Sequence, residues 1–114
     1  MFGVNEIDAL TLSQWMDDGE PVKIVDVRTA GEVQQGIIEG AVFVPMHLIP
    51  LKEAEFGADE KVVFYCRSGA RSAQVCAFLS QRGVSGIYNL RGGVIGWASS
   101  GKRLVAPEPQ MMAG

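Results

Sequence analysis

Four short apolar runs, separated by segments with helical spacing, constrain this chain more than any other feature. They cover residues 22–27, 41–44, 61–65 and 86–90, and they are largely apolar on both faces rather than on alternate residues. A strand of that kind is buried from two sides, so helices must pack above and below it. The intervening segments supply them. A capping-box pattern at Thr11 and Gln14 predicts a helix over 12–18, closed by Gly19, and a second box at Thr29 and Glu32 predicts one over 30–35, stopped by Gly36. Pro45 ends the second strand, and 47–55 reads as partly helical around Pro50. The strongest helix spans 72–82, with Val75, Cys76 and Leu79 on one face and Gly83 as its stop. Gly92 and Gly93 lead into a last short helix over 94–99 that carries Trp97. Strands alternating with helices predict an α/β fold with a parallel sheet. There is no internal repeat.

A chain of 114 residues is expected to form one domain, residues 1–105, with a patternless and disordered tail at 106–114. Hydrophobic content of 47% and charged content of 20% exclude a disordered chain. No basic segment precedes an apolar N-terminal stretch, and no apolar run is long enough to cross a bilayer. Two cysteines ten positions apart match neither a redox pair nor a zinc spacing, and there is one histidine, so no metal and no cofactor is expected. A thiol-reducing, cytoplasmic setting fits this composition, with no membrane partner.

The net charge of −3 conceals an asymmetry. Residues 1–60 carry twelve acidic and three basic side chains, whereas 61–107 carry seven basic ones and no acid. A locally cationic second half suits a small anionic substrate, provided that the two halves do not interleave in space. The acidic total and scattered basic residues disfavour nucleic acid.

Cys66 lies in that second half. It ends the run Val62-Val63-Phe64-Tyr65 and opens Cys66-Arg67-Ser68-Gly69-Ala70-Arg71-Ser72, directly before the strongest helix. Ligands in parallel α/β sheets bind beyond the C-terminal ends of strands, and Cys66 falls at one such end, with Asp26 and Arg28 at another. A strand-to-helix loop aims several N–H groups at one point, and the helix N-terminus adds positive potential. Arg67 and Arg71 strengthen the field. A free cysteine is most often inert core, but this setting favours a thiolate nucleophile.

At this point the sequence resembles the rhodanese family of sulfurtransferases over residues 5–103. The matching pieces are Asp26-Val27-Arg28 with Glu32, Gly36 to Ala41 with Pro45, the loop Cys66 to Ser72, and Leu90-Arg91-Gly92-Gly93 with Trp97. The resemblance implies a rhodanese-like doubly wound fold, with a central parallel sheet of about five strands flanked by helices on both faces. It also implies that Cys66 takes a sulfane sulfur from a small anionic donor such as thiosulfate, becomes a persulfide, and passes the sulfur to cyanide, a thiol or a protein. In that scheme Arg67 and Arg71, with the N–H groups of Arg67, Ser68, Gly69, Ala70, Arg71 and Ser72, hold the donor's sulfonate end. The family's usual Gly-His-Ile-Pro-Gly-Ala is here Gly36-Ile37-Ile38-Glu39-Gly40-Ala41. Since this segment is remote from the thiol loop in sequence, altered local support is expected rather than lost chemistry.

Two other readings share these residues. Cysteine phosphatases and some arsenate reductases place five residues between Cys and Arg, and the Arg closes bidentately on a tetrahedral oxyanion. Only four separate Cys66 from Arg71, so the loop is tighter and better matched to one added sulfur. A non-catalytic interaction module of the same fold is the third class, which retention of the cysteine disfavours. Among the remaining residues, an ion pair among Asp26, Arg28 and Glu32 is expected to brace the site. Cys76, Trp15 and Trp97 are expected in the core, His47 on the surface, Gly92 and Gly93 in a tight turn, and Arg91 at the pocket border.

Overall fold

The alternation of apolar runs produces one sheet. The structure, a computed structural model, describes residues 4–57 and 60–109. Its strands are β1 (Glu6–Ile7), β2 (Val22–Asp26), β3 (Val42–Phe43), β4 (Lys61–Tyr65) and β5 (Ile87–Leu90), ordered β1-β5-β4-β2-β3. Every neighbouring pair is parallel, and the central register sets Val25 against Phe64 and Asp26 against Tyr65. The helices are α1 (Ala9–Asp17), α2 (Ala30–Val33), α3 (Ala70–Gln81) and α4 (Gly93–Ser99), with a 3-10 helix at Met46–Glu55.

Alternate side chains of each buried strand enter different cores. Ile24, Val63, Tyr65 and Leu90 pack with Leu12 of α1, Val33 of α2 and Trp97 of α4. Val25, Val62, Phe64 and Ile87 pack on the other side with Val75, Cys76 and Leu79 of α3 and Ile49 of the 3-10 helix. Both faces are therefore covered, as apolar patterning on both faces required.

The local expectations fail where a competing signal acts. β1 escapes sequence reading because two residues carry no periodicity. α1 begins at Ala9, earlier than expected, because the Asp8 side chain accepts the Thr11 N–H at 2.9 Å. Thr11 therefore lies inside the first turn and the box with Gln14 does not form. The box at Thr29 and Glu32 does form, although α2 ends at Val33. α3 starts at Ala70, which brings Arg71 and Ser72 into its first turn. Trp15 is half-buried, whereas Trp97 is buried.

Strand order also undoes much of the charge asymmetry. Lys61 pairs with Glu20, Arg71 with Glu32, Arg82 with Glu53 and Arg91 with Asp8. Each joins a cation of the second half to an acid of the first, so the halves do interleave. At the C-terminal side, Val105 pairs with Ile37 in an antiparallel bridge. Of the expected disordered tail, residues 110–114 lie outside the described residues.

Candidate active site

Four residues, 66–69, join β4 to α3, and Gly69 closes the turn at φ 106° as the N-cap of α3. The first turn of α4 holds this loop from outside. Val94 N–H donates to the Cys66 carbonyl at 2.9 Å, and Ile95 N–H to the Arg67 carbonyl at 3.1 Å. In a trans peptide the following N–H points the opposite way, so the grip on the Arg67 carbonyl turns the Ser68 N–H inward. This contact requires Gly93. At φ 56°, a Cβ there would lie 2.5 Å from both loop carbonyl oxygens. The Gly92-Gly93 pair is thus a docking face for the thiol loop as well as a turn.

The inward N–H groups converge on sulfur. Gly69 N–H donates to Cys66 Sγ at 3.1 Å, and Ser72 Oγ lies 3.4 Å from it. Burial, at 1% exposure, works against a thiolate here, but the Ser72 hydroxyl and the N–H groups of Ser72, Gly69 and Ser68 outweigh it. The Cys66 thiol is held below its ordinary range. Cys76 shows the contrast: without such donors, burial pushes its thiol up to about 12.

The two loop arginines separate. Arg67 is exposed and, among the described residues, has no ion pair. Arg71 makes two parallel bonds to Glu32, Nη1 to Oε1 and Nη2 to Oε2, both at 2.8 Å. Its proton is held more tightly than in free arginine, chiefly by Glu32. The expected ion pair among Asp26, Arg28 and Glu32 is therefore corrected. Glu32 belongs to Arg71, while Arg28 binds Asp26 through Nε and Nη2 and donates to the Gly36 carbonyl at 2.7 Å. The register decides this: Asp26 lies beside Tyr65, on the sheet face opposite α3.

That buried pair supports the segment where the family's His and Pro are replaced. Tyr65 Oη accepts the Ile38 N–H at 3.1 Å, and burial beside Asp26 raises its hydroxyl above the ordinary range. Ile37 and Ile38 are buried, and Glu39 is exposed. Beside Arg71, a cleft of about 500 Å³ is walled by Val27, Phe43, Pro45 and Met46. His47 is exposed on the same cleft, and Arg91 is exposed next to Asp8.

One residue behind the sulfur's Ser72 partner escaped sequence reading. Asn89 is buried, receives the Ser72 hydroxyl on Oδ1 at 2.5 Å, and donates through Nδ2 to Glu6 Oε2 at 2.9 Å. The one available signal was a lone amide in an otherwise apolar strand.

A doubly wound α/β domain with a loop-borne, stabilised thiol at a strand end defines the class. The rhodanese-like domain family matches residues 8–100. A sulfurtransferase of Allochromatium vinosum is 54% identical over 105 residues, covering 92% of this chain and 98% of the relative. A putative sulfurtransferase of Bacillus subtilis is 35% identical over 99 residues, 87% of this chain and 95% of the relative. The crystal structure of a rhodanese-like domain protein from Staphylococcus aureus superposes with a TM-score of 0.80 at 32% identity, covering 92% of this chain and all of that one. The chain belongs to the rhodanese-like domain family and is of the sulfurtransferase class.

Proposed function

We propose that the protein moves a sulfane sulfur from an anionic donor such as thiosulfate to a thiophilic acceptor through a persulfide on Cys66. The carrying observation is the convergence of Ser68, Gly69 and Ser72 donors on a buried Sγ. The Cys66 thiolate attacks the outer sulfur of thiosulfate. A new S–S bond forms, the bond to the sulfonate sulfur breaks, and sulfite departs with the electron pair. The negative charge then resides on the outer persulfide sulfur, beside the same N–H donors, so neither charged state needs a general base. An acceptor attacks that sulfur and Cys66 leaves as the thiolate, which completes a ping-pong cycle.

Arg71, held in place by Glu32, steadies the departing sulfite, and exposed Arg67 draws the anion to the loop. The apolar cleft beside Arg71 offers an organic thiol or a protein segment a surface to lie against. Two free cysteines suit a reducing, cytoplasmic compartment.

The test is an intact mass after incubation with excess thiosulfate and desalting, beside a Cys66→Ser control. Gain of one sulfur, absent in the control and discharged by cyanide as thiocyanate, is the expected result. No gain with thiosulfate or with glutathione persulfide would leave the interaction-module reading in its place.

A further inference from the structure

The Ser72 hydroxyl faces two acceptors with one proton. Its oxygen lies 2.5 Å from Asn89 Oδ1 and 3.4 Å from Cys66 Sγ. The orientation of the Asn89 amide follows from its surroundings. The Nδ2 end faces two acceptors, Glu6 Oε2 at 2.9 Å and the Gly69 carbonyl at 3.2 Å. A flipped amide would set its oxygen against both. Oδ1 must therefore point at Ser72, where it can only accept, and the hydroxyl proton must choose between Oδ1 and sulfur.

The choice changes with the charge on Sγ. A neutral thiol, or the inner sulfur of a persulfide, is a weak acceptor, and the proton stays on the short contact to Asn89. A thiolate is a charged acceptor and attracts the proton more strongly. We propose that Asn89, fixed by Glu6, is a positioning residue that sets the strength of the Cys66 thiolate by competing for the Ser72 proton. It makes the bare thiolate less comfortable and leaves the neutral inner sulfur of the persulfide fully accommodated. The consequence is a bias toward the sulfur-loaded state. This consequence rests on the persulfide reading; the competition itself does not.

The charged groups around the thiol are Arg67 and Arg71 of the loop, Glu32 behind Arg71, and Glu6 behind Asn89. Replacing Asn89 leaves all of them in place. It also leaves few orphaned groups, since the Gly69 carbonyl still accepts the Ala73 N–H at 3.1 Å and Glu6 is exposed.

The experiment is the pH profile of iodoacetamide alkylation of Cys66, read by mass spectrometry, with rates compared below its midpoint, where they follow the thiolate fraction; it requires no sulfur donor. Asn89→Leu frees the hydroxyl for sulfur and is expected to accelerate alkylation about fivefold, the worth of one ordinary hydrogen bond. Ser72→Ala is expected to slow it. In the Ser72→Ala background, Asn89→Leu is expected to change nothing. Should Asn89→Leu fold poorly by circular dichroism, Glu6→Ala serves as a surface variant. By loosening the amide it is expected to accelerate alkylation about twofold, beyond any change it makes in the Ser72→Ala background. Equal effects with and without the Ser72 hydroxyl, or no acceleration in either variant, would overturn the proposal. Failure of sulfur loading would overturn the persulfide reading and leave this result standing.

Discussion

Arg71 and Glu32 meet through two parallel 2.8 Å bonds although 39 residues separate them in the chain. The contact joins the first turn of α3 to the capping box of α2, so a helix cap also orients a loop arginine. Glu32 occupies one N–H on each terminal nitrogen and leaves the others for further acceptors. A lysine offers a single ammonium and cannot serve both sides with fixed geometry. Arg71→Lys is therefore expected to lower kcat/KM for thiosulfate about tenfold to a hundredfold, with the melting temperature little changed. Steady-state thiocyanate formation measures it.

The same pair gives a pH dependence. Bonding to Arg71, opposed by burial and helped by Thr29, holds the Glu32 carboxyl down at about 2 against an ordinary value of 4.5. A depressed carboxyl contributes stability that is complete above its unfolded value and disappears as pH falls through the folded one. Both side chains are partly exposed, at 25% for Glu32 and 35% for Arg71, so screening reduces the contribution to about 1 kcal/mol. Urea titrations should show wild type more stable than Glu32→Gln by this amount at pH 7. The difference should shrink between pH 4.5 and 2 and vanish below.

Gly93 is the position least tolerant of a methyl group. A Cβ at 2.5 Å from the Cys66 and Arg67 carbonyl oxygens would push the loop off the start of α4. Overpacking of this kind, with a positive φ added, is expected to cost about 2–4 kcal/mol in Gly93→Ala. The Ser68 N–H should turn from the sulfur as its peptide rotates, so Cys66 alkylation at pH 7 should also slow.

Cys76 sits in the core with its thiol pushed up to about 12. Native protein treated with limiting iodoacetamide should carry one adduct, on Cys66. Cys76→Ala should retain sulfur transfer per folded molecule and lose about 1 kcal/mol of stability through a small cavity. Two adducts on native protein would contradict this assignment.

The Asp26–Arg28 pair is buried on the face away from α3. Removing one partner strands a charge, so Arg28→Met is expected to cost about 3–5 kcal/mol. The double change Asp26→Leu with Arg28→Met should cost less than the single one. Chemical denaturation of the two variants checks the comparison.

The legibility of the chain depended on how far apart the cooperating residues are. The loop at Cys66 could be read because strand, thiol, glycine and helix follow one another within a few positions. The Thr29 box formed as read for the same reason. At Thr11 the reading failed because a stronger cap, Asp8, lay three residues upstream. Asn89 went unread because an isolated amide in a strand acquires meaning only from Ser72 and Glu6, which stand on other elements.

By itself the sequence determined that strands buried on both faces alternate with helices and that a thiol ends one of them beside two arginines. These properties are local: periodicity, capping and loop spacing are written in contiguous residues. Tertiary structure alone decided that Glu32 serves Arg71 rather than Arg28, and that acids of the first half neutralise cations of the second. It also decided that Gly93 carries the thiol loop and that Asn89 shares the Ser72 proton with the sulfur. Each of these joins residues from separate elements, and only the strand order β1-β5-β4-β2-β3 brings those elements side by side.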